Sequence, residues 1–277
     1  MRCQNSRVFM NSKETRNFQD LFKEEKYLAL KNYLYNYNLR KRAVQKSLFR
    51  EVPQLILEVG SGISPLATNS AITVYSDMSF DAVHLLKRSQ RHGYYVVADG
   101  IHLPFKSNAF SHSICSEVLE HIEHDLQALK EIARVLNKDR GCLIITVPHR
   151  KRYFTNDDLF VKHHRRYEIS EIKDRLKMAG FKSIYLTKIL GPLEKVTMSL
   201  TVYFYSLTQR RKLSGGIPRA ISNRRFMDLF VSFFKWVNLF YEGFVWLDAK
   251  IMPLSLSSVI LIKSDILKEK STVNARN

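Results

Sequence analysis

Two hydrophobic periods alternate along the middle of the chain. Short apolar runs bounded by glycine, aspartate, serine or proline predict buried strands, and they span residues 55–59, 71–75, 94–98, 111–115, 141–147, 181–186 and 257–262. Between several of these runs, apolar residues recur every three or four positions and predict helices at residues 79–90, 125–136 and 170–179. Strands and helices that alternate in this way form parallel βαβ units. The pattern predicts an α/β fold with a seven-stranded, doubly wound, mostly parallel sheet.

Two further regions have the helical period but lie outside this alternation. Residues 20–49 predict a helical extension before the first strand, and residues 189–256 form an aromatic-rich helical insertion before the last strand. Within the insertion, residues 226–247 contain 16 apolar residues, and their polar side chains form one narrow stripe: Asp228, Ser232, Lys235, Asn238 and Glu242. Three placements fit such a helix: a substrate cap, a core helix of an accessory subdomain, or a helix in a membrane interface with its polar stripe outward. Its three ionisable residues argue against a full membrane span.

The pattern divides the chain into five segments. A basic helical extension covers residues 1–52, and the α/β core covers residues 53–188. The apolar insertion covers residues 189–256, the closing strand of the core covers residues 257–263, and a polar tail covers residues 264–277. We expect the sixth strand to run parallel to its neighbours, so that the insertion starts at the edge of the sheet where the parallel strands end.

The positive charge is concentrated outside the core. The 277 residues carry a net charge of +18, which divides into +7 over residues 1–52, −2 over residues 53–148, +12 over residues 149–225 and +1 over residues 226–277. Basic flanks favour an anionic partner, such as a lipid, a nucleic acid or a phosphorylated substrate, although a solvated basic face also explains them. The three cysteines lack metal-ligand spacing, and the first residues lack the apolar core of a signal peptide. We therefore expect a cytoplasmic protein, with peripheral contact at the inner membrane surface as an option.

Polar residues follow three of the predicted strands at one edge of the sheet. The first strand runs into the turn Gly60-Ser61-Gly62, which lets a ligand approach bare backbone. Asp77 follows the second strand, and Asp99 follows the third. Because open α/β sheets bind ligands in the crevice at this edge, the acidic groups favour a nucleoside over a dinucleotide pyrophosphate. Each feature alone also has a structural explanation, since glycines make tight turns and carboxylates stabilise helix N-termini.

Four longer runs resemble a known family. They are LILEVGSGISP (55–65), VYSDMSFDAV (74–83), VVADGIHLPFKSNAFSHSICSEVLEHI (96–122) and ALKEIARVLNKDRGCLIITVP (128–148). In these runs the sequence is similar to the class I S-adenosylmethionine-dependent methyltransferases, in particular to the branch called methyltransferase type 11. The resemblance covers about residues 53–188, with the closing strand at residues 259–263. It implies a Rossmann-like fold, a methyltransferase activity, and S-adenosylmethionine as the cofactor.

The resemblance also implies roles for individual residues. Asp77 would hold the ribose hydroxyls of the cofactor, and Asp99 would accept a hydrogen bond from the adenine amino group. The glycine turn would border the methionine part. One position departs from the family pattern, because Ser64 stands where many members have a third glycine. The ten residues implied for the cofactor site are Glu58, Gly60, Gly62, Asp77, Met78, Asp99, Gly100, Ile101, Ser116 and Glu117.

Methyl transfer from a sulfonium needs a general base only where the acceptor must lose a proton. His121, after the fourth strand, and His149, after the fifth, are the catalytic candidates because both fall on the ligand side of the sheet. The run His163-His164-Arg165-Arg166 is a candidate for binding an anionic group of the substrate, with a surface loop as the alternative. No metal is expected, since a solvated polar face explains the helical spacing of Glu117, His121 and His124.

Three functions remain open at this point. The first is methyl transfer to a small or amphiphilic acceptor of the lipid, quinone-precursor or lipid-linked glycan type, favoured by an apolar cap and a basic rim over the acceptor pocket. The second is RNA methylation, with tyrosines of the basic extension stacking on bases: Tyr27, Tyr33, Tyr35 and Tyr37. The third is a non-enzymatic, membrane-peripheral protein with a degenerate methyltransferase fold, against which Asp77 and Asp99 argue. A nucleic acid is the less favoured partner, and the apolar face also fits a homo-oligomer.

Overall fold

The computed structural model describes residues 33–48, 54–67, 72–89, 92–212 and 224–267. Seven strands lie within these residues: β1 (Leu55–Val59), β2 (Ile72–Asp77), β3 (Tyr94–Val97), β4 (His112–Ser116), β5 (Cys142–Pro148), β6 (Phe181–Leu190) and β7 (Val259–Ile266). The α-helices in the same residues are α1 (Tyr35–Leu48), α2 (Phe80–Ser89), α3 (Asp125–Val135), α4 (Asn156–Phe160), α5 (Ile169–Met178), α6 (Pro192–Lys212) and α7 (Arg224–Ile251). Single turns of 3-10 helix span Leu119–His121, Lys151–Tyr153 and Leu254–Leu256.

The strands form one sheet in the order β3-β2-β1-β4-β5-β7-β6. Strands β1 to β5 pair in parallel, while β7 is antiparallel to both β5 and β6. The predicted seven-stranded, mostly parallel α/β sheet is confirmed. The expectation that β6 runs parallel to its neighbours is wrong, because its partner in the described sheet is the antiparallel β7. Because β7 is antiparallel to β5 and β6 is antiparallel to β7, β6 nevertheless runs in the same direction as β1 to β5. The insertion therefore begins at the edge of the sheet where those strands end.

Apolar side chains cover both faces of the sheet. On one face, Leu57 of β1 belongs to a buried cluster with side chains of α3 and α5, including Ile132 and Leu176. On the other face, Ile56 of β1 belongs to a second cluster that includes Val44 of α1 and side chains of α2 and α7. Adjacent residues of one strand thus enter opposite layers, as the period of two in a strand requires. Two covered faces leave the ends of the strands as the place where a ligand can reach the backbone.

The predicted segment boundaries stay predictions. In the N-terminal segment, the described part is helical from Tyr35 to Leu48. Residues 20–32 of the predicted helix lie outside the described residues, and so does the tail from residue 268.

Polar contacts at the C-terminal end of α7 attach it to the start of α6 and to β6. Asp248 of α7 accepts a hydrogen bond from the backbone N–H of Leu193, 3.0 Å away in the first turn of α6. Lys188 of β6 donates to the carbonyl of Lys250 at 2.9 Å and also to that of Met252, just beyond the end of α7. A carboxylate at one helix N-terminus and an ammonium group at a C-terminus both complement the helix dipole.

Two residues of the polar stripe of α7 face the interior of the protein rather than water. Asn238 and Glu242 are buried, at 8% and 3% exposure. Asn38 of α1 donates to Glu242 at 3.2 Å, and Arg42 of α1 forms an ion pair with it. Of the three placements that fit the sequence, the one with an outward polar stripe does not hold for these residues, because α1 supplies polar partners inside the protein.

The opposite side of α7 is exposed and apolar. Nine large side chains there are 40–68% exposed and form what we call the outer face of α7: Phe233, Trp236, Val237, Leu239, Phe240, Phe244, Trp246, Leu247 and Ile251. Within the residues that the structure describes, no helix is long and apolar enough to cross a membrane.

Candidate active site

The carboxyl end of β1 runs into a turn that requires glycine. Gly60 has a φ of +69° and Gly62 a φ of +54°, in the left-handed region that costs other residues about 1–2 kcal/mol. A Cβ atom on Gly60 would also lie 2.3 Å from Cγ2 of Val118. The backbone N–H groups of Gly60 and Ser61 donate to the carbonyl of Ser76 at 2.8 and 3.0 Å. The turn therefore leaves backbone without side chains at the edge of the sheet where the parallel strands end.

Two aspartates lie on the same edge, after β2 and β3. Asp77 is half-buried, and its oxygens accept hydrogen bonds from the backbone N–H groups of Gly62 at 2.8 Å and Ser79 at 2.9 Å. Asp99 is exposed, and Oδ1 accepts a hydrogen bond from the N–H of Ile101 at 3.1 Å. An ionised carboxylate has about four acceptor positions. Both side chains therefore keep capacity for the hydroxyl or amino groups of a ligand.

Glu58 in β1 is buried beneath the turn. Its carboxylate accepts hydrogen bonds from the backbone N–H groups of Leu66 at 2.8 Å and Ala67 at 2.9 Å. Burial raises the pKa of Glu58 to about 7, although the two hydrogen bonds and the charge of Lys41 oppose the rise. At neutral pH the group is about half ionised, and its two hydrogen bonds hold the segment that follows the glycine turn.

Glu117 directly follows β4 in a strained backbone conformation. Its φ of +54° is uncommon for a residue other than glycine. The hydroxyl of Thr146 in β5 donates to Oε1 of Glu117 at 3.2 Å, and a guanidinium nitrogen of Arg40 in α1 lies 3.7 Å from Oε2. Backbone strain of this kind persists where the surrounding structure imposes it, commonly at ligand sites.

A cavity of about 320 Å³ opens beside the turn. The hydroxyls of Ser61 and Ser64 are buried without a hydrogen-bond partner among the described residues, and both serines line the cavity. Much of the remaining lining comes from α1, from the segment after β5 and from the start of the insertion: Asn36, Tyr37, Arg40, Asp157, Asp158, His163, Arg166, Leu190, Glu194 and Met198. This lining is mostly polar and charged, which suits a polar or charged ligand.

A buried charge network forms one wall of this cavity. Asp158 lies 2.7 Å from Nε of Arg166, 2.8 Å from Nδ1 of His163 and 2.8 Å from Nζ of Lys195. Lys195 also donates to Asp157 at 2.7 Å. Burial acts to raise the pKa of Asp158, but His163, Arg166 and Lys195 hold it well below its usual range. Because Lys195 belongs to α6, the network joins the insertion to the core.

The residues predicted for the cofactor form two adjoining groups. One group lines the cavity: Glu58, Gly60, Gly62, Ser116 and Glu117. The other lies outside that lining, at the ends of β2 and β3: Asp77, Met78, Asp99, Gly100 and Ile101. The hydrogen bond from the N–H of Gly62 to Asp77 joins the two groups.

The two histidines predicted for catalysis occupy different places. His121 lines the cavity, and its ring packs edge-to-face on His163 with centroids 4.7 Å apart. Partial burial of the ring lowers the pKa of His121, and the nearby His163 lowers it further. His149 is 2% exposed, lies outside the cavity lining, and places Nδ1 2.9 Å from the hydroxyl of Ser257. The geometry brings His121 alone of this pair to the cavity.

The basic run after α4 also divides. His163 and Arg166 line the cavity. Arg165 instead pairs with the buried Asp125 of α3 at 3.2 Å, and His164 is exposed outside the lining. The first and last members of the run therefore line the cavity, and Arg165 attaches the run to α3.

Several cavity residues were not predicted from the sequence. Arg40 comes from a helix before the core, and Glu194 comes from the insertion. Asp157-Asp158 carried a usable signal, because the two acids interrupt a segment with a net charge of +12. The predicted apolar cap over the acceptor pocket stays a prediction. Among the described residues of the insertion, those that line the cavity are Leu190, Glu194 and Met198, and the outer face of α7 is not part of the lining.

Comparisons with known proteins agree with this arrangement. A family model described as a methyltransferase domain matches residues 57–145. An S-adenosylmethionine-dependent methyltransferase from Thermotoga maritima superposes with a TM-score of 0.56 at 16% identity, covering 92% of this chain and 96% of that one. Residues 57–145 are therefore a methyltransferase domain of the type 11 branch. A methyltransferase domain is an enzyme domain, and the Thermotoga maritima protein that shares its fold uses S-adenosylmethionine.

Two further relatives extend the comparison. Phosphoethanolamine N-methyltransferase 2 of Haemonchus contortus, solved with S-adenosyl-L-methionine, has a TM-score of 0.55 at 17% identity, covering 91% of this chain and 60% of that one. An uncharacterised protein of Methanocaldococcus jannaschii is 34% identical over 137 residues, which are 49% of this chain. The match spans 58% of that relative's length. At such low identity, the likeness to the two solved structures shows the methyltransferase fold alone.

The site of the methyltransferase fits S-adenosylmethionine in shape and donor set. The side-chain-free turn at Gly60 has no space for a Cβ atom and leaves backbone accessible. Ser61 and Ser64, whose buried hydroxyls have no hydrogen-bond partner among the described residues, line the cavity where the methionine part would lie. Asp77 keeps acceptor positions for a ribose diol, and Met78, at 75% exposure, offers an apolar surface for adenine.

Proposed function

We propose that this methyltransferase transfers a methyl group from S-adenosylmethionine to the polar head of an amphiphilic acceptor at an anionic membrane surface. The observation that carries the proposal is the outer face of α7. Few monomeric proteins place so many large apolar side chains on one exposed helix without a partner or a membrane. Acceptors of the lipid, quinone-precursor and lipid-linked glycan types share the required chemistry of a polar head on an apolar tail.

The composition of the outer face supports a membrane interface. Trp236 and Phe240 pack with ring centroids 4.4 Å apart, and the ammonium of Lys250 lies 4.5 Å from the ring centre of Trp246. Tryptophans with neighbouring lysines are typical of helices that lie in the headgroup region, because the ring is amphipathic and the lysine extends its charge toward water. Exposed side chains of α6 add to the apolar surface: Val196, Leu200 and Tyr203.

Charge complementarity favours anionic lipid as the occupant of this face. Residues 209–225, which we call the basic linker and which include the end of α6 and the first two residues of α7, contain six lysines and arginines and no acidic residue. Each basic residue near an anionic bilayer contributes about 1 kcal/mol of attraction. A second copy of the chain would instead bring like charges together. The basic linker and the apolar face therefore match one partner that is both anionic and apolar.

The cavity supports a polar head rather than an acyl chain as the group that enters. Its charged members pair with one another, as Glu117 does with Arg40, and the interior offers donors and acceptors on several sides. RNA is less well matched, because Tyr35 and Tyr37 are 6% and 5% exposed and cannot stack on bases. Tyr33 is 43% exposed, but the ammonium of Lys235 lies 4.1 Å from the centre of its ring. Tyr27 lies outside the described residues.

Within this proposal, the residues of the chain position the reactants. When bound, the cofactor supplies an activated methyl group on a sulfonium. The glycine turn and Asp77 hold the cofactor, and the cavity orients the acceptor for in-line transfer. His121, with its lowered pKa, is a neutral base at pH 7 for an acceptor that must lose a proton.

The first experiment measures binding of the full chain to vesicles. Wild-type protein is expected to co-sediment with vesicles of phosphatidylcholine and phosphatidylglycerol, and more weakly with pure phosphatidylcholine. The double variant Trp236→Ser, Phe240→Ser is expected to bind at least about tenfold more weakly. Met178→Ser is the matched control, because Met178 is a 65% exposed apolar residue on α5. Equal binding by all three proteins would overturn the membrane assignment, as would a salt-resistant dimer that the double variant dissolves.

The second experiment identifies the acceptor class. The protein is incubated with S-adenosylmethionine carrying a labelled methyl group, together with a lipid extract or total RNA from the same cells. Label is expected in the organic phase of the lipid reaction. Label that enters RNA instead would establish the alternative of an RNA methyltransferase.

A further inference from the structure

A cluster of two histidines and a glutamate lies at the edge of the cavity. Glu120, His121 and His163 place their ligand atoms within 4.8 Å of one another. Glu120 and His121 belong to the 3-10 turn after β4, whereas His163 follows α4. The backbone N–H of His164 donates to the carbonyl of Glu120 at 2.8 Å and holds the two segments together.

Glu120 is buried without the donors that a carboxylate needs. The residue is 0% exposed, and neither carboxylate oxygen has a hydrogen-bond partner among the described residues. The group facing Oε1 is Nε2 of His163, 3.7 Å away. A buried carboxylate without donors is strongly unfavourable. A cation within reach of both groups would remove this cost.

His163 is oriented by a second carboxylate. Its Nδ1 lies 2.8 Å from Oδ1 of Asp158, which accepts the Nδ1 proton. Nε2, which then carries no proton, lies 3.7 Å from Oε1 of Glu120. Carboxylate–histidine pairs of this kind fix the tautomer of histidines that bind metals.

We propose that Glu120, His121 and His163 bind one divalent first-row transition-metal ion, with Asp158 as the positioning residue for His163. Two imidazoles and a carboxylate suit Zn²⁺, Mn²⁺ or Fe²⁺. Metal–ligand distances of about 2.0–2.2 Å place two ligand atoms of a tetrahedral site about 3.4 Å apart. This is close to the 3.7 Å between Nε2 of His163 and Oε1 of Glu120. The sequence-based expectation of no metal considered His124 rather than Glu120 and His163.

The proposed ion has open positions toward the cavity. His121 and His163 both line the cavity, so the ion would take its remaining ligands from water or from an oxygen atom of the acceptor. This last role rests on the proposed function, whereas metal binding does not. A bound oxygen of the acceptor would be held beside the site of methyl transfer, and the ion, which occupies the lone pair of His121, would then lower the pKa of that oxygen in place of a free His121 base.

The experiment titrates metal into the full chain after removal of metals with EDTA. Co²⁺ is followed by its visible d–d absorption, and Zn²⁺ by its competition with Co²⁺. Wild-type protein is expected to bind one ion. His121→Gln changes the exposed ligand, and so should fold normally, while its affinity is expected to fall by more than about 100-fold. His124→Gln is the matched control because His124 is also exposed but lies outside the cluster.

Glu120→Gln is a second variant for the buried ligand. It is expected to lose Co²⁺ absorption while near-ultraviolet circular dichroism shows that it is folded. Failure of wild-type protein to bind one equivalent of Co²⁺ or Zn²⁺ would overturn the proposal, as would equal losses in the variants at positions 121 and 124. Vesicle binding is measured on the same proteins and should not change, so failure of the metal site is distinguishable from failure of the proposed function.

Discussion

Substitutions at the glycine turn after β1 allow two costs in unfolding free energy to be measured separately. One is the cost of backbone strain, and the other is the cost of steric overlap. Gly60→Ala combines two costs. Its φ of +69° costs alanine about 1–2 kcal/mol. The new Cβ would also lie 2.3 Å from Cγ2 and 3.0 Å from Cγ1 of Val118, and overpacking of this kind costs about 1–3 kcal/mol. We therefore expect the free energy of unfolding to fall by about 2–5 kcal/mol.

Two other glycines isolate the separate contributions. Gly180 has a φ of +92°, and nothing lies within 4 Å of its ideal Cβ position. Gly180→Ala should therefore cost about 1–2 kcal/mol from strain alone. Gly243 lies within α7 with open space at its Cβ position, so Gly243→Ala should stabilise the helix by about 0.5–1 kcal/mol.

Urea unfolding measures these free energies, and calorimetric titration measures the affinity for S-adenosylmethionine. In the double variant Gly60→Ala, Val118→Ala, both clashing methyl groups are absent and the Cβ of residue 118 lies 3.2 Å away. The double variant should recover about 1–3 kcal/mol relative to the sum of the single changes. If Gly60→Ala costs no more than Gly180→Ala, or if Val118→Ala gives no recovery, the steric argument is refuted.

Three further predictions concern charged groups. Burial raises the pKa of Glu58 to about 7, so its contribution to stability is fully present below about pH 4.5 and is lost as the pH rises through 7. The loss of unfolding free energy between pH 5 and pH 8 should therefore be about 2–3 kcal/mol smaller in Glu58→Gln than in wild type, and equal pH dependence would contradict the assignment. Lys195→Met should lower the unfolding free energy at pH 7 by about 3–5 kcal/mol, because Asp157 and Asp158 lose a buried partner; the exposed substitution Lys130→Met should have little effect in the same urea experiment. Asp77→Ala should weaken binding of S-adenosylmethionine by at least about tenfold, since a charged acceptor contributes about 1.5–3 kcal/mol, and unchanged calorimetric affinity would exclude a role for Asp77 in ribose binding.

Local sequence patterns were enough to predict the sheet and its ligand edge. A strand buried on both faces, such as Leu55–Val59, is a continuous apolar run whatever packs on it. The requirement for glycine at Gly60 and Gly62 is also local, because it comes from backbone conformation. Parallel strands end at a common edge, so the positions of Asp77 and Asp99 follow from strand order alone.

The composition of the cavity depended on contacts between distant segments. Arg40 meets Glu117 from the N-terminal side of the core, and Lys195 reaches back from the insertion to Asp157. His149 has the predicted topological position but bonds to Ser257 instead of facing the cavity. A position after a strand does not decide where a side chain points, because the loops packed around it make that choice.

The orientation of α7 is the clearest case of what tertiary structure alone decided. From the sequence, a narrow polar stripe on an apolar helix fits a buried cap or core helix as well as an interfacial helix whose stripe faces water. In the structure, Glu242 instead receives a hydrogen bond from Asn38, 204 residues away in the sequence, and the apolar side is exposed. The sequence by itself determined the α/β fold, the glycine turn and the edge where a ligand binds, since those depend on backbone geometry and strand order. Only the tertiary structure decided which charges share the cavity and which side of α7 is buried, because a polar stripe is satisfied equally by water or by a polar partner helix.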